Sequence, residues 1–511
     1  MKRKYIFGGA LTAALMIGSA SCSLDYDPIG QYSDVTEGVE TDSVKPPYFA
    51  DKQAVTTYRQ GIYNRLRDAQ EAWYVDLELL AEAHSDNAYG GTTGAEVVPF
   101  EDNSVDGSNS VLTRDWGVYF QYVSYANTAI DNIDLTPDNS LTASERASIK
   151  AEFKIFRAML YFEMARIWGN VPLFLHTGED ITEDNIEEVY PQYFPDQATQ
   201  LEVYQQVEKD LLEAVDDAPE VDTGDKTRLN KGVAYTLLAK LYAEKPLRDY
   251  DKVIQYVDAA QRAGGYDLNE NYGDLWDLSA DGTTLGQRNT RESILEMQYG
   301  GAAGSGNWAT WMFGRNLTNW DESFTWAKWV TPSRDLIKAY DNEGDEIRKN
   351  QSIVYYECGW SNYYPADNYP FMYKLRSAHN SIIKFRYADL LLLKAEAKIM
   401  GPSQDLPGAA DIIDRIRDRV GLAKLPASVR GNKESLLNAY LKERRLELAF
   451  ECQRWFDLVR LDKVEEVMNG INSRDEGRKM LRYNYTTNSY LLPIPQSILD
   501  ENNKLVQNPG Y

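Results

Sequence analysis

The sequence predicts a predominantly α-helical protein in which a scaffold of helical hairpins carries two long irregular stretches. Apolar residues recur at the three- and four-residue spacing of amphipathic helices in both halves of the chain, and breaks containing Gly or Pro separate the helices. With 511 residues, of which 43% are hydrophobic, the chain is long and apolar enough to form a large packed core.

Three helices are clearest in the first half, and the last two of them form a pair. The first runs from Lys150 to Trp168 and ends at Gly169-Asn-Val-Pro172; its apolar stripe consists of Phe153, Phe156, Leu160, Met164 and Ile167. The next two are predicted at Lys231–Glu244 and Tyr250–Ala263. The short Lys245-Pro246 break between them predicts an antiparallel hairpin.

The same pattern returns in the second half. It predicts helices at Tyr387–Met400, Ala409–Val420 and Lys433–Phe450, the first two joined through breaks that contain Gly and Pro. Hairpins of this size, with alanines where helices cross, are typical of tetratricopeptide-like stacking. The fold class predicted is therefore an all-α dominated, tetratricopeptide-like scaffold with long loop insertions.

Residues 1–21 have the pattern of a lipoprotein signal peptide. Three basic residues precede an apolar run from Tyr5 to Gly18 that is short for a membrane span, and Ser19-Ala-Ser21 leads into Cys22. Ser19 stands where this processing site prefers Leu. We predict acylation of Cys22, a tether over 22–50 and one domain over 51–511, whose scaffold (51–270 and 374–511) flanks a loop-rich ligand segment (271–373).

The charge of the chain excludes some classes of partner. With 78 acidic and 54 basic residues, the net charge of −24 disfavours binding to nucleic acid and to anionic lipid headgroups. Only Cys358 and Cys452 follow Cys22, which is too few for a disulfide framework. We expect neutral molecules or other proteins as partners, and no cofactor or metal.

The two irregular stretches, Asp86 to Asp115 and Asn271 to Tyr373, are where function is expected, because long loops on a rigid scaffold usually carry it. The second stretch holds most of the tryptophans, set among Gly and Asn: Trp276, Trp308, Trp311, Trp320, Trp326, Trp329 and Trp360. Such rings are not part of a helical stripe.

Several motifs in both halves resemble the SusD/RagB family. They are RAMLYFEMARIWG at Arg157–Gly169, RYADLLLLKAEA at Arg386–Ala397, ERRLELAFE at Glu443–Glu451, RWFDL at Arg454–Leu458, LPIP at Leu492–Pro495 and QNPGY at Gln507–Tyr511. Cys452 departs from the family, which usually has Gly there. Jointly these motifs are specific, but they cover the scaffold better than the irregular stretches.

The resemblance implies a helical lipoprotein of the bacterial outer-membrane surface that binds nutrients without cleaving them. It also implies a protein partner, a TonB-dependent, SusC-like transporter that takes over the ligand. Asp25 and Asp27 resemble the acidic signal that sends such lipoproteins to the outer face of the membrane.

The aromatic excess favours a neutral oligosaccharide or polysaccharide as the ligand. A sugar offers an apolar C–H face to a flat ring and hydroxyls to amides and carboxylates. The predicted glycan-binding residues are Trp308, Trp311, Trp320 and Trp360 in the second stretch, Asp86, Asn87 and Tyr89 in the first, and Trp73 on the preceding helix.

Other conspicuous residues are predicted to belong to the core. Trp116, Trp168 and Trp455 lie in scaffold motifs, and Trp326 and Trp329 precede a helix that reaches Tyr340. Arg157, Glu163 and Arg166 are expected to form a buried network.

Three other hypotheses stay open at this point. A glycosidase needs two carboxylates, which 78 acidic residues supply by chance, but the three histidines show no zinc or triad spacing. A branch of the same family imports peptides. Asp341-Asn-Glu-Gly-Asp345 has alternating acids that suit calcium but form an incomplete loop, so a solvated turn is favoured.

Overall fold

The computed structural model describes residues 46–91, 94–279, 285–300, 306–307, 329–358 and 362–511. Helices dominate the described residues. In chain order they are α1 (Lys52–Asp68), α2 (Asp76–Glu78, flanked by π-helical turns Glu71–Val75 and Leu79–Ala83), α3 (Val98–Asp102), α4 (Ser110–Asn132), α5 (Ala143–Ile167), α6 (Ile186–Val189), α7 (Gln200–Ala214), α8 (Lys231–Ala243), α9 (Tyr250–Gly264), α10 (Arg334–Glu343), α11 (Glu346–Ser352), α12 (Tyr387–Met400), α13 (Leu406–Arg419), α14 (Ala427–Arg430), α15 (Lys433–Glu447), α16 (Arg454–Arg460), α17 (Val464–Met468), α18 (Ile471–Arg474) and α19 (Gln496–Glu501).

The strands of the described residues are short and form antiparallel pairs. They are β1 (Ala88–Tyr89) with β5 (Thr331–Pro332), β2 (Val171–Pro172) with β3 (Gln197–Ala198), β4 (Ser293–Met297) with β8 (Ile382–Arg386), and β6 (Ile353–Tyr356) with β7 (Tyr369–Met372). Four of these strands and helices α10 and α11 lie within 271–373, so much of this predicted loop segment has regular structure.

The ends of the main helices follow ordinary capping chemistry. Thr142 and Thr199 each start a helix, α5 and α7, with a complete capping box in which the glutamate three residues later reaches back. Gly265 (φ 59°) and Gly344 (φ 67°) end α9 and α10 in the left-handed conformation that glycine adopts without a Cβ penalty.

The helices pack as hairpins around one hydrophobic core. Helix α8 pairs with α9, α12 with α13, and α5 with both α4 and α7. The expected stripe of α5 is buried, but so is nearly every other side chain from Ala151 to Ile167, so this helix is central and not amphipathic. The predicted helical-hairpin scaffold is confirmed.

Ion pairs satisfy the charged residues of α5 within the core. Arg157 donates to both oxygens of Asp210 at 2.7 and 2.8 Å. Glu163 pairs with Arg166 on its own helix and accepts from Lys384 Nζ at 2.8 Å. The prediction that Arg157, Glu163 and Arg166 belong to a buried network is therefore confirmed.

A larger network joins β8 to α15. Arg386, only 2% exposed at its side chain, lies 2.6 Å from Glu447 Oε1, 2.6 Å from Glu451 Oε2 and 2.7 Å from Glu292 Oε1. Arg419 pairs with Glu292 and Glu447 as well. Arg386 belongs to one of the sequence motifs, and Glu447 and Glu451 belong to another. These two motifs therefore meet in one ion-pair network inside the protein.

Helix α15 ends three residues before its predicted end. Phe450 (φ 62°) and Cys452 (φ 58°) both lie in the left-handed region, so the chain turns sharply before α16. Glycine adopts that conformation most readily, which gives a physical reason why the family usually has glycine where this chain has Cys452.

The acidic turn at 341–345 is the end of α10. Asp341 pairs with Lys349, Glu343 with Lys442 and Arg417, and Asp345 with Arg348. These carboxylates are thus engaged by cations. Over the described part of the chain no group of three or more metal-ligating side chains occurs, and none of its helices is long and apolar enough to cross a membrane.

Candidate functional site

The structure places Asp86, a predicted glycan ligand, in the interior. Its carboxylate receives two hydrogen bonds from Arg454, at 2.8 and 3.0 Å, and lies 3.3 Å from Arg445 and 3.5 Å from Arg474. Burial raises the pKa of Asp86, but the arginines outweigh burial and hold that pKa well below its usual range. The carboxylate acts as the anionic centre of a scaffold cluster.

The other two predicted residues of the first stretch, Asn87 and Tyr89, and Trp73 before it are also enclosed. Trp73 is 6% exposed and donates from Nε1 to the Leu66 carbonyl at 2.6 Å. Asn87 is fully buried and donates to Glu82 at 2.7 Å, while Tyr89 is fully buried and donates to Asp475 at 2.5 Å.

This burial corrects the expectation that Trp73, Asp86, Asn87 and Tyr89 line an open cleft. Residues that look like a polar loop in sequence satisfy their hydrogen bonds against distant parts of the chain, and a glycan has no access to them in this conformation. Their contacts are those of a scaffold.

The tryptophans fall into two groups. Trp308, Trp311, Trp320 and Trp360 lie outside the described residues, as does Trp326, and their contact with a glycan stays a prediction. Trp116, Trp168 and Trp455 are at most 4% exposed, and Trp329 packs partly buried against the same core, so their assignment to the scaffold is confirmed.

A cavity of about 370 Å³ lies between α1, the loop 224–228 and the segment 289–298. We call it the amide cavity, because its wall includes side-chain amides from separate segments: Gln60, Asn64, Asn289 and Gln298. The segment 289–298 leads through Tyr299 towards the tryptophan-rich stretch, and Tyr299 donates to the Arg67 carbonyl at 3.0 Å.

One wall of the amide cavity is built on Tyr63. The Arg228 guanidinium lies over the Tyr63 ring, 4.3 Å from its centroid, and donates to Gln60 Oε1 at 3.3 Å. The Tyr63 hydroxyl donates to Glu152, and burial raises the pKa of Tyr63 well above its usual range. This wall is held in place by its own contacts.

Asn289 organises the opposite wall. Its side chain accepts from Lys226 N at 2.9 Å and Gln298 Nε2 at 2.7 Å, and it donates to the Gly224 carbonyl at 2.7 Å. Burial raises the pKa of Glu296, which accepts from the Asn289 backbone N–H. Asn289 adopts φ 53°, a conformation that asparagine tolerates better than most residues.

The amide cavity is suited to a neutral polar ligand. Asn64 is exposed, and within the described residues its side chain hydrogen-bonds to no protein group. Amide and guanidinium groups can donate to and accept from hydroxyls in a fixed geometry. No sequence motif marks the residues of this cavity, so the cavity could not be predicted from the sequence.

Two family models match the chain. One, described as SusD family, matches residues 367–511, and the other, described as starch-binding associating with outer membrane, matches residues 34–243. A SusD-like protein from Bacteroides ovatus is 24% identical over 92% of this chain and 84% of its own length. SusD-like protein P2 from Formosa agariphila is 26% identical over 79% of this chain and 81% of its own length.

Solved structures share the fold. A laminarin binding SusD-like protein aligns with a TM-score of 0.71 at 24% identity, covering 91% of this chain and 100% of its own. Surface glycan-binding protein A from Bacteroides fluxus aligns with a TM-score of 0.71 at 21% identity, and the alignment covers 90% of this chain and 99% of its own. The sequence motifs, the two matched regions at 34–243 and 367–511 and this shared fold together support the SusD/RagB family for this chain.

Proposed function

We propose that this protein binds neutral glycans at the surface of the outer membrane and delivers them to a TonB-dependent, SusC-like transporter. The observation that carries the proposal is the amide cavity, a preformed concavity lined by hydrogen-bonding groups on a family scaffold whose relatives include glycan-binding proteins. In this proposal Cys22 carries the lipid anchor.

The chemistry of the amide cavity favours a sugar. A volume of about 370 Å³ falls in the range of small-molecule sites and suits one or two sugar units. Asn64 and Gln60 lie on one helical face, four residues apart, so they can meet successive hydroxyls. Trp308, Trp311, Trp320 and Trp360 would add flat rings for the apolar faces of further units.

The proposal is of a binding protein and not an enzyme. Holding a polymer for transfer needs many weak contacts, which the amide cavity and the tryptophans supply together. The acidic chain, at net charge −24, disfavours uronate-rich or sulfated polymers as ligands. Peptide binding is the alternative function, to be tested in parallel.

The test is affinity electrophoresis in gels that contain one neutral polysaccharide each, including starch and laminarin. The wild-type protein is expected to be retarded by at least one polymer. Asn64→Ala and Gln60→Ala are each expected to raise the dissociation constant about fivefold, the cost of one or two lost hydrogen bonds.

Gln53→Ala is the matched control, because Gln53 is an exposed amide on α1 two turns from Gln60 and outside the cavity. It is expected to bind like the wild type. If no polysaccharide retards the wild-type protein, or if the protein releases reducing sugar from one of them, the proposed function is wrong.

A further inference from the structure

A second concave surface lies between the loop 103–106 and the segment 482–489. Its volume is about 470 Å³, and it shares no lining residue with the amide cavity. The two walls are tied together, since Arg482 N donates to the Asp102 carbonyl at 2.8 Å and Asn103 Nδ2 donates to the Tyr483 carbonyl at 3.0 Å. We call this surface the tyrosine groove.

The tyrosine groove presents two aromatic rings to solvent. Tyr483 is 63% exposed and Tyr511 is 40% exposed. Most other tyrosines of the described residues are buried or partly buried. Two exposed rings at the edge of one concavity offer platforms for the C–H face of a sugar.

Amides accompany these rings. Asn484 and Asn488 are exposed, and neither side chain hydrogen-bonds to another group in the part of the chain that the structure describes. The turn that carries Asn488 is rigid, because Thr486 Oγ1 accepts from Asn488 N at 3.2 Å and Ser489 Oγ accepts from Thr486 N at 3.2 Å. The groove is thus ordered before any ligand arrives.

The charge of the tyrosine groove is balanced. Arg482 Nε lies 3.9 Å from Asp102 Oδ2, and Asp106, on the other wall, accepts from Ser108. An anionic or cationic ligand would therefore find little net attraction, whereas neutral hydroxyls match the unpaired amides.

We propose that the tyrosine groove is a second saccharide-binding site, which takes a neutral sugar unit of the same polymer that occupies the amide cavity. This rests on the proposed function. Two sites on one chain raise the apparent affinity for a long polymer far more than for a short fragment, because the second binding event is intramolecular.

The test compares Tyr483→Ala and Asn488→Ala with Tyr190→Ala, an exposed tyrosine (52%) outside the groove. Calorimetric titration uses the polysaccharide that retards the wild type and its disaccharide. Each groove variant is expected to bind the polysaccharide about fivefold more weakly, with a smaller effect for the disaccharide, and Tyr190→Ala to bind both like the wild type.

Hydrogen–deuterium exchange gives a readout that locates the ligand. The polysaccharide is expected to slow amide hydrogen exchange in residues 482–489 of the wild-type protein. The same slowing is expected in the Asn64→Ala variant. Unchanged affinity in Tyr483→Ala together with unchanged exchange in 482–489 would overturn the second site while leaving the proposed function intact. Protection of 482–489 by unstructured peptides but by no glycan would also overturn it.

Discussion

Arg386→Met is expected to lower the free energy of unfolding by about 3 to 5 kcal/mol, the usual cost of removing one partner of a buried ion pair. Arg386 is 2% exposed at its side chain and neutralises Glu292, Glu447 and Glu451, of which the first two are fully buried. Methionine fills a volume similar to that of arginine, but it removes one of the cations that pair with these carboxylates. Arg419 and Lys374 remain nearby and keep the loss from being larger.

Urea unfolding followed by circular dichroism measures this loss. The control is Arg415→Met, which removes an exposed pair with Asp267 and is expected to cost about 0 to 1 kcal/mol. A loss for Arg386→Met no larger than that for Arg415→Met would contradict the structural role given to the network.

Asp86→Asn is expected to destabilise the fold by about 3 kcal/mol at pH 7. Arg454 loses the carboxylate that accepts two of its hydrogen bonds, and Arg445 and Arg474 each lose one of their anionic partners. The folded protein holds the pKa of Asp86 below its unfolded value, so the carboxylate stabilises the fold fully above about pH 5. That contribution is lost as the pH falls through the folded pKa.

The difference in unfolding free energy between wild type and Asp86→Asn should therefore be constant from pH 7 to about pH 5 and shrink at lower pH. Asp367→Asn, at an exposed aspartate, is the control and should show no such difference. The folded fraction of Asp86→Asn should bind glycan like the wild type. Normal stability combined with weakened binding would instead make Asp86 a ligand contact, as the sequence suggested.

Local sequence patterns were sufficient to predict six of the longer helices, α5, α8, α9, α12, α13 and α15. The helix over Tyr387–Met400 has its predicted bounds, and Lys231–Ala243 ends one residue early, because apolar spacing and Gly or Pro breaks act within a few residues. The early end of α15, at Glu447 and not at Phe450, was not predicted. Phe450 and Cys452 turn the chain through left-handed conformations, which residues other than glycine do not signal.

The candidate site was harder to predict, since it depends on contacts between distant segments. Asp86 and Asn87 look like loop residues until Arg445, Arg454 and Arg474, more than 350 positions later, are placed beside them. The amide cavity likewise combines 60–67, 224–228 and 289–298, none of which carries a motif. The family resemblance and the aromatic excess pointed to glycans independently of this geometry.

The most direct test of the account is a crystal structure of the protein with an oligosaccharide cut from the polysaccharide that retards it. Sugar density is expected in the amide cavity, with hydroxyls within hydrogen-bonding distance of Gln60 and Asn64. An oligosaccharide bound elsewhere, with the amide cavity empty, would contradict it.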